Sequence, residues 1–255
     1  MTRTLLMAST AAFLVLAACG GGETTADATP APQEPAAETA AAPAEAEAPA
    51  EAAAPALPEG LADVSAANYS LERTHAFLEF SVGHSGGISD YIVHFGDFDA
   101  DLDFNPEDPT ASTLSATINP LDLIVNYPGD YKAGHADSGY ETWAEDMARN
   151  PRWLNADEFP EITFTSTEVT ITGEGTGTVT GDLSFLGVTQ PVTLDVTYNG
   201  NANTPWFGER DLIGFNAETT INRSDFGMDA AIPNITDAVT VSFSGEFLQD
   251  EDAAE

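Results

Sequence analysis

Apolar and polar residues alternate in segment after segment of this chain between residues 76 and 247. In the segment 98–104, Phe98, Ala100, Leu102 and Phe104 alternate with aspartates. Because successive side chains of a β-strand point to opposite faces, each such segment predicts a strand with one buried and one solvated face. About eight segments of this kind, separated by turns rich in Gly, Pro, Asn and Asp, predict an all-β antiparallel fold, either a sandwich or a closed barrel.

The other segments give the remaining inward-facing residues by the same rule. These are Ala76, Leu78, Phe80, Val82; Leu114, Ala116, Ile118; Ile162, Phe164; Val169, Ile171; Val179, Leu183, Phe185; Val192, Leu194, Val196, Tyr198; Ile213, Phe215, Ala217, Ile221; and Val239, Val241, Phe243, Phe247. Large aromatic residues are mixed with small ones, Ala100, Ala116, Gly181 and Ala217. That mixture could leave a channel beside the aromatic rings.

One long connection between strands has a helical pattern instead. Ser138-Gly139-Tyr140-Glu141 has the form of a capping box, and Trp143 and Met147 follow at helical spacing. Asn150-Pro151 should end the helix, since the residue before a proline avoids the helical conformation. The sequence therefore predicts one short helix over about 139–149.

The N-terminus predicts secretion and lipidation. Residues 1–18 have a basic residue near the start and then a short apolar stretch, as in a signal peptide. They lead into Leu16-Ala17-Ala18-Cys19-Gly20, which resembles the lipobox of bacterial lipoproteins, where a diacylglyceryl group is attached to the cysteine. The only cysteine of the chain is Cys19, so we expect lipidation there; the alternative is an ordinary signal peptide. Gly20, rather than Asp, favours by the same resemblance the outer membrane, facing the periplasm.

Composition divides the rest of the chain. Residues 19–60 are mostly Ala, Pro and Glu, with no Lys, Arg or aromatic residue, and such a segment has too little apolar surface to offset its ordering entropy. We therefore predict a disordered tether there, a globular domain at 61–248 and an acidic tail at 249–255. The formal net charge of −35 repels phosphate backbones, which excludes nucleic acid as a partner.

No sequence pattern points to a catalytic or metal site. The histidines His75, His84, His94 and His135 show no H-x-H or HExxH spacing. No G-x-S-x-G elbow occurs, and carboxylate pairs in so acidic a chain are explained by a solvated surface. The sequence therefore predicts no catalytic residue, no metal and no cofactor.

Several separated segments resemble the YceI-like polyisoprenoid-binding domain family. They are Tyr69-Ser70-Leu71-Glu72 with His75, Phe80-x-Val82-x-His84, Phe159-Pro160-x-Ile162-Thr163-Phe164, Val179-Thr180-Gly181-Asp182-Leu183, Leu186-Gly187-Val188-Thr189-Gln190-Pro191 and Arg223-Ser224-Asp225-Phe226-Gly227. They stand in the family's order and span about 65–248. The segment 145–154 departs from the Arg-Asp-x-His-Leu type that the family often shows there.

The resemblance implies a lipocalin-like antiparallel barrel of about eight strands that holds a long isoprenoid chain in its apolar interior. We therefore predict a membrane-anchored binding protein, not an enzyme, that carries or stores an isoprenoid quinone or a polyprenol in the cell envelope. Two alternatives stay open: an enzyme that acts on a lipophilic substrate through His84 or His94, and a surface or scaffold lipoprotein with a filled core. A homodimer is also left open.

Strand parity selects the residues expected to contact the lipid. They are Leu78, Phe80, Val82, Leu102, Phe185, Leu194, Val196, Phe215, Val241 and Phe243. The candidates for contact with the headgroup are His84, His135, Arg149, Arg152 and Arg223, although Arg223 could instead form a structural pair with Asp225. Basic residues are scarce and Arg149 and Arg152 lie among acids, so we expect an uncharged headgroup.

Overall fold

The computed structural model describes residues 56–251. The predicted signal peptide, Cys19, the tether up to residue 55 and the last four residues of the acidic tail lie outside the described residues. The strands are β1 (Ala67–Leu71), β2 (Phe77–His84), β3 (Ser89–Phe95), β4 (Phe98–Phe104), β5 (Thr113–Ile118), β6 (Leu123–Val125), β7 (Ile162–Gly173), β8 (Thr176–Phe185), β9 (Val188–Asn203), β10 (Asp211–Asn222) and β11 (Ile235–Gln249). The helices are α1 (Tyr131–Gly134) and α2 (Trp143–Arg149), with single 3-10 turns at Leu61–Asp63, Arg73–His75, Pro109–Ala111, Pro205–Phe207 and Arg223–Phe226.

Eight strands close into an antiparallel barrel in the order β1-β4-β5-β7-β8-β9-β10-β11. Closure comes from the pairing of β1 with β11, where Tyr69 lies opposite Gln249. A sandwich would consist of two separate sheets, so this pairing decides between the two predicted architectures. The predicted all-β barrel is confirmed.

The other three strands extend barrel strands beyond a bend. The strand β2 continues β1 along β11, β3 leads into β4 after a bend at Gly96-Asp97, and β6 continues β5 along β3. We call the end with the turns 85–88, 186–187 and 223–234 the upper end, and the end with the turns 105–112, 174–175 and 204–210 the lower end.

The long connection 126–161 compensates for a missing strand pair at the upper end. There β6 is the edge of the sheet and does not pair with β7. Helix α2 packs against β6, and the connection contributes Trp143, Met147 and Leu154 to the wall of the barrel interior. The connection therefore fills the side that strand pairing leaves open.

The helix in this connection begins later than predicted. Helix α2 starts at Trp143, and its N-cap is Thr142, whose Oγ1 accepts a hydrogen bond from Glu145 N at 3.0 Å. The Glu145 side chain accepts one from Glu141 N at 2.8 Å. The N-cap is therefore Thr142 and not Ser138, since the adjacent segments Ser138-x-x-Glu141 and Thr142-x-x-Glu145 have the same pattern and the helix uses the second. The helix ends before Asn150, as predicted.

A bulge in β7 reverses its inward parity. Ser166 pairs with Gly181 but Glu168 pairs with Thr180, so Thr167 is an extra residue without an opposite partner. Before the bulge the even-numbered Phe164 faces the interior, and after it the odd-numbered Val169 and Ile171 do. Two segments that sequence analysis counted separately are thus one long strand with a bulge.

Candidate functional site

An apolar cavity of about 780 Å³ occupies the barrel interior and reaches the upper end. We call it the upper cavity. Seven of the ten residues predicted to contact lipid line it: Leu78, Phe80, Val82, Phe185, Leu194, Val241 and Phe243. The other three, Leu102, Val196 and Phe215, line a lower cavity of about 140 Å³. Strand parity therefore identified inward-facing residues but could not say at which height in the barrel each one lies.

Small residues keep the upper cavity open. Ala100, Ala116 and Ala217 line it, as their inward parity predicts. Gly181 acts in another way, because a Cβ atom placed there would lie 2.5 Å from Cζ of Phe164. The ring of Phe164 can therefore lie against the wall at a position where any larger residue would push it inward.

Aromatic side chains of the connection 126–161 form an aromatic roof, which we define as Tyr127, Tyr131, His135 and Trp143. The rings of Tyr131 and His135 are stacked with centroids 4.5 Å apart, and Trp143 lies 5.8 Å from His135. Tyr127, His135 and Trp143 line the upper cavity. Sequence analysis missed Tyr127 and Tyr131, although Tyr127, Tyr131 and His135 follow one another at intervals of four residues, a spacing that could have revealed them.

A buried carboxylate holds this roof in place. Asp146 of α2 accepts a hydrogen bond from the Tyr131 hydroxyl at 2.5 Å and one from Asn150 Nδ2 at 2.7 Å. Burial raises the pKa of Tyr131, and the hydrogen bond to Asp146 raises it further. Tyr131 is therefore a neutral donor at physiological pH, which fixes its ring for stacking.

The hydroxyl of Tyr91 is buried and has no hydrogen-bond partner among the described residues. Tyr91 lies on β3 and lines the upper cavity. Burial raises the pKa of Tyr91 and outweighs the opposing effect of the neighbouring Trp143 side chain. An indole N–H can only donate, so the protonated hydroxyl can still donate a hydrogen bond to a ligand. Sequence analysis missed this residue because β3 was not among the predicted strands, although Tyr91, Val93 and Phe95 alternate correctly for one.

Arg223 is a structural residue at the upper end. Its side chain is 3% exposed and donates hydrogen bonds to the carbonyl oxygens of Thr236 at 2.9 Å, Ile235 at 3.0 Å and Met228 at 3.2 Å. The predicted pair with Asp225 is wrong, because the five N–H groups of a guanidinium are better matched by several carbonyls of one turn. Arg223 nevertheless lines the upper cavity.

The other headgroup candidates are divided between the cavity and the surface. His84 and His135 line the upper cavity. Arg149 forms an exposed ion pair with Asp157, and Arg152 lies 5.5 Å from the ring of Trp153. Neither arginine lines either cavity, and contact of Arg149 or Arg152 with a headgroup stays a prediction.

The remaining histidines lie on the outer wall. His94 Nδ1 is 3.3 Å from Glu79. His75 Nδ1 is 2.5 Å from Glu72 and 3.8 Å from Glu246, the one group of metal-ligating side chains that converges among residues 56–251. Burial raises the pKa of Glu72, but hydrogen bonds from Thr74 and His75 outweigh this and hold the pKa below its usual value. An ion pair accounts for this group.

An antiparallel barrel with a large apolar cavity in its interior is the class that the fold and the site define. The chain matches the YceI-like domain family over residues 69–247 and belongs to that family. A UPF0312 protein of Pseudomonas putida (strain GB-1) is 37% identical over 167 residues, which are 64% of this chain and 77% of the relative. A UPF0312 protein of Pseudomonas savastanoi pv. phaseolicola is 34% identical over 185 residues, 71% of this chain and 86% of the relative.

Solved structures agree on the fold. BcnA of Burkholderia cenocepacia superposes with a TM-score of 0.56 at 18% identity, covering 71% of this chain and 99% of BcnA. The YCEI protein of Campylobacter jejuni gives a TM-score of 0.53 at 23% identity, with 64% and 88% covered. Within residues 56–251, no helix is long and apolar enough to span a membrane.

Proposed function

We propose that this protein binds a long-chain isoprenoid lipid, an isoprenoid quinone or a polyprenol, as a carrier or storage protein of the cell envelope. The observation that carries the proposal is the apolar cavity of about 780 Å³ inside a closed barrel. Burial of a methylene group contributes about 0.8 kcal/mol, so some twenty chain carbons would contribute on the order of 15 kcal/mol before the costs of association. No catalytic group is needed for this role.

The polar atoms around the upper cavity favour an uncharged headgroup. Among the described residues, Arg223 is the one Arg or Lys that lines the cavity, and its guanidinium already donates to three carbonyls. A diphosphate would need two or three converging cationic donors. A quinone carbonyl or a prenol hydroxyl needs one donor, which the unpartnered hydroxyl of Tyr91 supplies. The aromatic roof offers a flat ring surface for a quinone.

The two alternative functions have less support. An acid–base enzyme would place a histidine against the substrate, but His94 faces the outer surface beside Glu79. His84 does line the cavity, and its Nδ1 is 3.0 Å from the hydroxyl of Ser85, with no carboxylate in an ion pair with it among the described residues. A scaffold with a filled core does not fit a cavity of this volume.

The location that we propose rests on the sequence. A lipidated Cys19 would anchor the protein, with the outer membrane facing the periplasm as the site. The described chain enters the barrel at the lower end, where Leu57 and Pro58 line the lower cavity. Cys19→Ser should release the folded protein into the soluble fraction; recovery of this variant in the membrane pellet would contradict the proposed anchor.

A binding titration tests the function. The delipidated full chain is titrated with a long-chain ubiquinone, a prenol and a prenyl diphosphate of matching chain length, and the native extract is examined by mass spectrometry. We expect the two neutral lipids to bind more tightly than the diphosphate at physiological salt. Loss of one hydrogen bond in Tyr91→Phe should weaken ubiquinone binding by about tenfold, whereas Tyr140→Phe, outside the cavity lining, should not.

Two outcomes would contradict the proposal. The binding function fails if neither neutral lipid binds at all. The uncharged headgroup fails if the diphosphate binds more tightly than both neutral lipids. Turnover of a lipophilic substrate that is lost in His84→Ala would support the enzyme instead.

A further inference from the structure

The barrel interior is divided into two cavities by a shared set of side chains. Five residues line both the upper cavity of about 780 Å³ and the lower cavity of about 140 Å³. We call them the partition, and they are Leu114, Leu194, Ala217, Phe243 and Phe247. Any chain that enters from the upper end and fills the upper cavity reaches this set before it reaches the lower cavity.

The ring of Phe243 is held in the partition by its surroundings. It lies over Gly245, where an added Cβ atom would be only 2.6 Å from Cζ of Phe243. Phe98 meets it edge-on with ring centroids 6.5 Å apart, and Phe247 lies 6.1 Å away. The glycine thus gives the ring its space against the wall, and the two neighbouring rings limit its movement.

The far side of the partition is supported by further aromatic rings. Phe215 lies 6.1 Å from Phe247, 5.6 Å from Tyr198 and 6.0 Å from Phe104. A close-packed aromatic group of this kind does not move aside without loss of many contacts. The partition is therefore a rigid base of the upper cavity, and the lower cavity lies on the other side of it.

We propose that the partition sets the maximum length of the isoprenoid chain, with the last isoprene unit stopping against Phe243 and Phe247. This inference rests on the proposed binding of an isoprenoid in the upper cavity. If each carbon takes roughly the 30 Å³ that a water molecule occupies in the liquid, the lower cavity has room for about one five-carbon unit. Removal of the partition should therefore lengthen the longest chain that fits by about one unit.

The test uses a series of prenols that differ by one isoprene unit. The delipidated full chain is titrated with each prenol, and the length at which affinity stops rising gives the cutoff. In Phe243→Ala the two cavities join, and the cutoff should move by about one unit toward longer chains. Phe243→Leu is a smaller change that keeps most of the packing. It should raise the affinity for the prenol that is one unit longer than the wild-type cutoff.

A second variant should shift the cutoff in the opposite direction. Gly245→Ala places a methyl group where the ring of Phe243 now lies, so the ring moves into the upper cavity and the cutoff shortens. Ile213→Ala is the matched control. Ile213 is fully buried on β10, two residues from Phe215, and it lines neither cavity, so its truncation should loosen the lower end without changing the cutoff.

The outcomes separate this inference from the proposed function. If the wild type binds no prenol, the proposed function fails and the inference fails with it. If the wild type binds prenols but the folded Phe243→Leu and Gly245→Ala variants keep its cutoff, the binding function stands and the partition is not the stop. A shift of equal size in Ile213→Ala would also overturn the inference, because it would show that general loosening controls chain length.

Discussion

The two ends of the barrel are held by different combinations of interactions. At the lower end Leu61 and Val64, which precede β1, are buried against Tyr69, Phe104 and Phe247 in one apolar cluster. At the upper end a second apolar cluster, which includes Phe185 and Phe226, is supplemented by hydrogen bonds: Arg223 donates to the carbonyls of Met228, Ile235 and Thr236, and Asp146 holds the aromatic roof. Apolar packing is non-directional and fills space. Hydrogen bonds are directional, so they can fix a rim in position above a cavity that stays empty.

This difference matches the proposed direction of ligand entry. The lower end is closed by side chains that would lose contacts if they separated. The upper end is a set of turns and a connection, held by hydrogen bonds of Arg223 and Asp146 as well as by an apolar cluster that includes Ala148, Leu154 and Phe226, with the cavity directly beneath. A lipid that enters by the upper end would therefore move turns and not strands.

The largest expected effect is on the free energy of unfolding, when one aromatic residue is truncated at each end of the barrel. Phe247→Ala removes a ring that is 4% exposed in the lower cluster and should lower the free energy of unfolding by about 3–5 kcal/mol. Phe80→Ala should cost about 1–2 kcal/mol, because the Phe80 ring is only partly buried and makes fewer contacts than the buried ring of Phe247. Urea unfolding of both variants measures the difference. Equal costs would show that the upper cavity wall is packed as tightly as the lower end.

The second comparison concerns the two arginines that hold backbone carbonyls. Arg223→Met leaves three buried carbonyls without their donors and should cost about 2–3 kcal/mol. Arg210 at the lower end donates to the carbonyls of Phe207 and Gln249 but is only half-buried. Arg210→Met should cost less than about 1 kcal/mol, since water can replace its hydrogen bonds. The reverse order in thermal or urea unfolding would contradict a polar upper end.

The third effect is a pH dependence at the upper end. Hydrogen bonds from the side chain and the backbone N–H of Ser224 hold the pKa of Asp237 below its usual value. A depressed pKa stabilises the fold above the usual value, and this stabilisation is lost as the pH falls through the folded pKa. The difference in unfolding free energy between the wild type and Asp237→Asn should therefore be constant near neutral pH and shrink below about pH 4.

A matched variant controls for the high negative charge of the chain. Asp225→Asn removes one negative charge from the turn beside Asp237, and Asp225 does not make the two hydrogen bonds to Ser224 that Asp237 accepts. Acid titration of this variant should leave most of the wild-type pH dependence in place. If both asparagine variants gave the same pH profile, net charge and not the Ser224 contacts would be responsible.

The smallest effect is expected at the surface near the aromatic roof. Arg149→Ala breaks an exposed ion pair with Asp157, and such pairs contribute about 0.5 kcal/mol or less. Unfolding free energy and prenol affinity should both stay close to the wild-type values. A marked loss of affinity for the diphosphate in this variant would return Arg149 to the headgroup site, where sequence analysis placed it.

The alternation of apolar and polar residues predicted most of the fold, because successive side chains of a strand point to opposite faces. In β4 the aspartates are exposed and Ala100, Leu102 and Phe104 are buried, which is the pattern that the sequence predicts. The same rule missed β1, β3 and β6. Of these, β6 spans only Leu123–Val125, and three residues give no measurable period.

The sequence by itself determined which side chains face the interior and where the connection with its helix interrupts the strands. Only the tertiary structure decided that Thr167 is a bulge, that Arg223 contacts carbonyls and not Asp225, and that Phe243 closes one cavity from another. The physical reason is how far apart in the sequence the residues lie that determine each feature. Strand parity depends on neighbours along the chain, whereas a buried donor, an unpartnered hydroxyl or a partition depends on atoms that closure of the barrel brings together from strands far apart in sequence.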